Sequence, residues 1–229
     1  MTDQSVKNAG ACAGAATVDE SPETAGLRPD EGLEECISKK MCGLYSLDEA
    51  SARRFVGHMR PFEVRRGQIM MREGVAADRL CLVRRGIVRS FIYRDGEPQT
   101  VWFAAEGEFV MQIWSYVRCG ASRENIEAVT DCELLAISKV EIDRLCNESL
   151  EFSNIVRRLF EGHAAMMEDF TLFFMLNASA EERYLALMRK APDIMQQVSL
   201  KTLASYIAVT PQSLSRIRAR LRNRWRRKE

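Results

Sequence analysis

Apolar and polar positions change their rhythm twice along this chain. Residues 1 to about 35 show no periodic apolar face and are rich in Ala, Gly, Ser, Thr, Asp and Glu, which predicts a flexible tail, taken here as residues 1–40. From Pro61 to Ser138 short apolar runs alternate with turn signals: Arg66-Gly67, Glu73-Gly74, Arg85-Gly86, Asp95-Gly96 and Glu106-Gly107. The clearest strands are Leu80–Val83, Ile87–Tyr93, Thr100–Phe103, Ile126–Val129 and Cys132–Ile137. Many short strands at this spacing predict a barrel or a rolled double sheet. Helical spacing takes over after Ser138. Three Ser-x-x-Asp/Glu patterns read as capping boxes, at Ser46-Leu47-Asp48-Glu49, Ser138–Glu141 and Ser179–Glu182. The first would open a short helix running to about Met59.

The helix predicted to end near Asn177 is apolar on two faces. Phe152, Ile155, Leu159, Gly162, Met166, Asp169, Phe173 and Leu176 alternate three and four apart, the rhythm of a helix pair. A neighbouring stripe holds Val156, Phe160, His163, Met167, Phe170 and Phe174. Such a helix needs two neighbours. One stripe can cover the chain's own sheet domain while the other meets a second copy. The first stripe, through Phe152, Ile155, Leu159, Gly162, Met166 and Phe173, is assigned to the dimer interface. Burial of both faces within a monomer is the alternative. Domains are therefore expected at 41–148 for the sheet, 149–177 for the helix and 178–229 for the C-terminal module.

That last module is the most informative stretch. In residues 199–224 the apolar Leu200, Leu203, Ile207, Leu214, Ile217 and Leu221 form one buried face, interrupted by Thr210-Pro211. Thr210 can accept from the free N–H groups of a new helix and Pro211 suits its first position. The exposed side carries Gln212, Ser213, Ser215, Arg216, Arg218 and Arg220. An apolar back with polar and cationic residues at the N-terminal end is what a helix-turn-helix needs to reach base edges and phosphates.

Charge sharpens the division. Residues 179–229 hold 12 Lys/Arg against 4 Asp/Glu, and the rest of the chain holds 21 against 28, so a net charge of +1 conceals a basic module on an acidic body. A polyanion is the expected partner of that module. No apolar stretch approaches the length of a membrane span, and no membrane partner is expected. The N-terminus lacks the basic and apolar regions of a secretory signal. Seven scattered cysteines read as reduced thiols in a cytoplasm.

In this layout the chain resembles bacterial transcription regulators of the cyclic-AMP receptor/fumarate-nitrate regulator (CRP/FNR) superfamily, from about Leu44 to Leu221. The resemblance is carried by Val64–Glu73 (VRRGQIMMRE), Leu80–Val88 (LCLVRRGIV), Gly107-Glu108-Phe109, Ala128–Ser138 (AVTDCELLAIS) and Val198–Leu221. It implies an α+β fold: an N-terminal jelly roll of the cyclic-nucleotide-binding type, a long dimerisation helix and a C-terminal winged helix-turn-helix. It implies double-stranded DNA, a second copy of the chain and RNA polymerase as partners. It also places Thr210, Pro211, Gln212 and Arg216 where family members touch DNA, Thr210 at a phosphate and Gln212 and Arg216 at bases. Arg216 suits a bidentate contact to guanine and Gln212 one to adenine. Arg218 and Arg220 suit phosphates. Two departures stand out. Ala208 occupies a turn position where glycine is usual, and only eight residues follow Leu221, too few for the family's wing.

Cyclic-nucleotide-binding relatives pair a Gly-Glu with an Arg about ten residues on, followed by small residues. Gly107-Glu108 fits, but Arg123 lies 15 residues past Glu108 and is followed by Glu124 and Asn125. A carboxylate beside a phosphate site repels it, so Gly107, Glu108 and Arg123 are the candidates for a degenerate effector pocket that does not take cyclic AMP. The favoured reading takes Glu108 and Arg123 as ordinary surface charges on a rolled sheet. The effector is left open and no cofactor is expected. Relatives with an iron–sulfur cluster show C-x2-C-x5-C near the N-terminus. Cys36 and Cys42 match the last two positions, Leu33 stands at the first, and Cys12, Cys119 and Cys132 do not complete the set. His58 and His163 are the haem-ligand candidates, each read as a packed side chain.

A cupin-type enzyme needs several strand histidines, which two histidines outside the strands cannot supply. No Ser/His/Asp or Cys/His grouping and no phosphate-cradling glycine loop are seen, so the chain is not expected to be an enzyme and no metal site is assigned. The alternative to a DNA-binding regulator is an adaptor or RNA-binding protein whose sheet domain senses nothing.

Overall fold

The computed structural model describes residues 31–172 and 179–226. Eight strands form two four-stranded antiparallel sheets that enclose a common interior. They are β1 (Arg60–Val64), β2 (Ile69–Met71), β3 (Arg79–Arg85), β4 (Val88–Arg94), β5 (Glu97–Ala104), β6 (Phe109–Val110), β7 (Asn125–Ala128) and β8 (Cys132–Ser138). One sheet has the order β1-β8-β3-β6 and the other β2-β7-β4-β5. The five strands legible in sequence are β3, β4, β5, β7 and β8. The missed β1, β2 and β6 are edge strands of two to five residues, too short to show alternation.

β3 is buried almost throughout, because both its faces are covered. Cys81 and Val83 face the roll interior with Val88, Ile126 and Leu134. Leu80 and Leu82 face a layer of helices. The turns that shape the roll depend on glycine most strictly at Gly86. There φ is +97° and an added Cβ would lie 2.6 Å from the Asp131 carbonyl oxygen.

The helical layer begins before the roll. α1 spans Glu31–Tyr45, so the expected tail does not reach residue 40. Ile37, Met41 and Tyr45, four apart, form a buried stripe that a composition-based reading overlooks. α2 is Glu49–Val56. Its N-cap is Asp48, which accepts from the Ser51 N–H at 2.9 Å, whereas Ser46 has φ +53° and does not cap. α4 (Lys139–Glu148), preceded by a six-residue α3 (Ile113–Arg118) between β6 and β7, is capped by Ser138. α5 runs from Leu150 to Asp169. Leu176, Asn177 and the other positions assigned to the helix beyond Leu172 lie outside the described residues.

The C-terminal module comprises α6 (Ala180–Lys190), α7 (Pro192–Gln197), α8 (Leu200–Tyr206) and α9 (Pro211–Arg226). Ser179 and Glu182 form a complete capping box at α6. No strand follows β8 among the described residues, and no wing is present in them.

Candidate nucleic-acid interface and effector pocket

α8 and α9 form the helix-turn-helix read from sequence. Leu203, Ala204, Ile207, Leu214 and Leu221 are essentially inaccessible, and Ile217 nearly so. Ala204 has no exposed surface, where a larger side chain would separate the helices. The turn places Ala208 at φ +56°, a conformation that costs a non-glycine residue roughly 1–2 kcal/mol. Thr210 caps α9, its hydroxyl accepting from the Ser213 N–H at 3.2 Å. Four consecutive exposed or half-exposed positions are thereby fixed at the positive end of the helix: Thr210, Pro211, Gln212 and Ser213. Ser215, Arg216 and Arg218 are exposed one turn further on. Arg220, assigned to a phosphate, instead pairs with Glu181, which also holds Arg224 at 3.0 Å. One residue the sequence reading missed organises the turn. Arg183 of α6 donates to the Ile207 carbonyl at 3.1 and 2.9 Å, satisfying an acceptor at the end of α8.

The module docks on the β4–β5 hairpin. The Ser205 hydroxyl accepts from the Thr100 N–H at 2.7 Å and donates to the Pro98 carbonyl at 3.1 Å. Tyr206 packs against Phe103 of β5 and Phe170 at the end of α5, at centroid distances of 4.9 and 5.9 Å. Behind the hairpin, Arg89 donates to Thr100 at 3.0 Å and to Glu127 at 2.7 Å. An unbroken run of polar contacts thus leads from α8 into the sheet.

The three candidates for an effector pocket are each engaged elsewhere. Gly107 has φ +87° and lies under Lys40 of α1, so closely that an added Cβ would sit 2.7 Å from the lysine Cβ. The Glu108 carboxylate folds back to accept from the Ala105 N–H at 2.8 Å, and burial raises its pKa above the usual carboxylate value. The Arg123 guanidinium stacks 3.8 Å from the centre of the Trp114 ring, whose residue is 44% exposed. Glu124, half-buried, accepts from the Ser90 hydroxyl, and burial raises its pKa too. A carboxyl group with those neighbours repels an incoming phosphate.

The α5 stripe assigned to a partner is covered by the chain itself. Phe152, Ile155 and Leu159 are at most 3% exposed and pack with Tyr45, Phe55 and Leu135. Gly162 lies against Tyr45, at a distance that leaves no room for a side chain. Met166 packs at the edge of the same cluster, and Phe173 lies outside the described residues. The helix α1, unread in the sequence, covers this face together with α2, whose Phe55 stacks on Phe152. The neighbouring Val156, Phe160, His163 and Met167 are only half-buried.

Cys36, Cys42, Cys81, Cys132 and Cys146 are free thiols. Cys119 is disulfide-bonded, so the reading of seven reduced cysteines fails there. Cys36 is exposed and meets Glu106 at 3.5 Å. Among the described residues no three His, Cys, Asp or Glu side chains are grouped to hold a metal. His58 packs edge-on against Phe152, and burial lowers the pKa of His163. No helix is long and apolar enough to cross a membrane, among the described residues.

Comparison with known proteins agrees with this geometry. Residues 61–149 match the cyclic nucleotide-binding domain family. The fold is shared with several solved structures. FixK2 from Bradyrhizobium japonicum superposes with a TM-score of 0.58 at 20% identity, covering 72% of this chain and 85% of that one. The c-di-GMP responsive global regulator CLP of Xanthomonas campestris gives 0.62 at 21% identity, covering 77% and 92%. A regulatory protein from Silicibacter pomeroyi DSS-3 gives 0.58 at 20%, covering 84% and 88%. No curated protein matches the chain.

Proposed function

We propose that this chain is a sequence-specific, DNA-binding transcription regulator of the CRP/FNR type that acts as a homodimer. The observation that carries the reading is the face of α9. Gln212, Ser215 and Arg216 are exposed beside a capped helix N-terminus, on a back of buried Leu214, Ile217 and Leu221. A rigid helix that offers amide, hydroxyl and guanidinium groups together fits a major groove. Arg216 reads a base, Gln212 a second, and Thr210, Ser213, Arg218 and Arg222 meet phosphates. Arg220, held by Glu181, steadies α9 against α6 instead.

The second copy docks on the half-buried stripe of α5, along Val156, Phe160 and His163, because the stripe beside it is already covered. Cyclic AMP is not the effector on this reading, since Glu124 and the stacked Arg123 leave no anion site. Selection from a random duplex library tests the function. A recovered consensus, bound in preference to RNA of the same length at moderate salt, supports it. Equal retention of all duplexes and RNA refutes it.

A further inference from the structure

A cavity of about 620 Å³ lies where the roll, α1, α5 and the helix-turn-helix module meet. Its size falls in the range of small-molecule sites, roughly 300–1,000 Å³. Its walls come from every part of the molecule that would have to move in a regulator. Gly43 belongs to α1, Phe103 to β5, Met167 and Phe170 to the end of α5, Leu187 to α6 and Tyr206 to α8. The floor is aromatic and aliphatic, with Tyr206 between the rings of Phe103 and Phe170.

The polar groups around the cavity set the chemistry of its occupant. Lys40 is paired with Glu106 at 3.2 Å and Lys39 with Glu35 at 2.6 Å. Glu108 is satisfied by the Ala105 N–H. Lys190, Asp169 and Asp193 are exposed at the rim and of mixed sign. Half-buried Glu108 is already desolvated and would repel an anion, and Lys39 and Lys40 are paired, so a charged ligand would lose hydration and gain little. An apolar one would remove the Phe103, Phe170 and Tyr206 faces from water.

We propose that this interdomain cavity is a binding site for an uncharged, mainly apolar small molecule, and that its occupancy alters how the helix-turn-helix module sits on the roll. The roll interior is not the site. A ligand here touches Tyr206 on one side and Phe103 on the other, the two rings through which α8 docks. Any difference in its affinity for the docked and undocked arrangements appears as a change in DNA affinity. That second clause rests on the DNA-binding function proposed above; ligand binding itself does not.

The test uses the full chain and the neutral dye N-phenyl-1-naphthylamine, read by its own emission and by quenching of tryptophan, since Trp102 lines the cavity. Gly43 gives a clean blocking variant. A Cβ built there meets nothing within 4 Å, so a side chain grows into open space from a helix. Gly43→Phe is expected to weaken dye binding at least about tenfold, a loss of about 1.4 kcal/mol. Gly43→Leu should weaken it less, and Gly43→Ala should bind as the wild type does. All three should keep the far-ultraviolet circular dichroism and a urea midpoint no lower than the wild type's, since a helix favours each of these residues over glycine. Absence of saturable binding by the wild type overturns the proposal, including the case in which a second copy covers the cavity. Equal binding by a folded Gly43→Phe or Gly43→Leu protein also overturns it. A duplex titration with and without the dye then reads the coupling. Dye binding by a chain that holds no duplex leaves the cavity site standing and removes the DNA-binding reading.

Discussion

Ser205 and Thr100 are joined across the junction between the C-terminal module and the roll: the hydroxyl of the first accepts the N–H of the second at 2.7 Å. The same hydroxyl donates to the Pro98 carbonyl, so one small side chain satisfies two backbone groups of a β-strand. Thr100 is 3% exposed, which leaves its N–H no access to water if the hydroxyl is removed. Ser205→Ala is therefore expected to cost roughly 1–3 kcal/mol. Urea unfolding followed by tryptophan emission should show the loss, and amide exchange should rise at Thr100 and along α8.

Arg216 and Arg222 are expected to fail in different ways. Arg216→Ala should lose roughly 1–3 kcal/mol of discrimination at one base position. Arg222→Ala should weaken all duplexes alike and lower the slope of log affinity against log salt by about 1. Titrations of a selected and a scrambled duplex at several salt concentrations separate the two. A salt effect alone from Arg216→Ala would remove its base-reading role.

Ala208 holds a left-handed backbone conformation without being glycine. Its side chain is exposed, so replacing it removes strain without opening a cavity. Ala208→Gly should stabilise the protein by roughly 0.5–1 kcal/mol, the relief of strain being partly offset by a freer unfolded chain. Thermal unfolding at one scan rate checks the sign.

Glu108 is held as a half-buried carboxyl whose pKa is raised chiefly by desolvation, against the opposing pull of the Ala105 N–H and Lys40. A folded pKa above the unfolded one means that the unfolded chain releases this proton first as pH rises. Glu108 therefore costs stability at neutral pH, and the cost disappears as pH falls through its raised pKa to below the ordinary carboxylate value. Glu108→Gln keeps an acceptor for Ala105 without the charge. It should be more stable than the wild type at pH 7 and equal to it near pH 4, measured by urea midpoints across that range.

Ala164 is exposed on α5, one turn beyond Phe160 and clear of the chain's own core. Ala164→Glu should weaken self-association at least about tenfold if the half-buried stripe meets a second copy, a difference of about 1.4 kcal/mol. The monomer's melting should hardly change. Sedimentation velocity over a concentration series reads the shift, and an unaltered dimer would place the interface elsewhere.

Local chemistry settled much of this molecule before any fold was seen. The strands β3, β4, β5, β7 and β8, the caps at Ser138, Ser179 and Thr210, and the buried face of α8 and α9 follow from neighbours a few residues apart. Backbone propensity and side-chain periodicity act over that range, so a one-dimensional reading finds them. Even the strained Ala208 was legible, because the turn demands a conformation that its side chain resists.

Three features were decided only by distant parts of the chain meeting. The stripe of Phe152, Ile155 and Leu159 looks from periodicity like a seam for a partner, yet α1, α2 and the outer face of β3 cover it. Arg220 looks like a phosphate contact until Glu181, 39 residues earlier, arrives beside it. Glu108 and Arg123 carry no sign in the sequence of the neighbours that the fold gives them, the Ala105 N–H and the Trp114 ring. In each case the side chain's own character was plain from sequence, but burial and charge pairing depend on what packs against it. That is fixed by long-range closure of the roll and its helices, whose contacts carry no local signal.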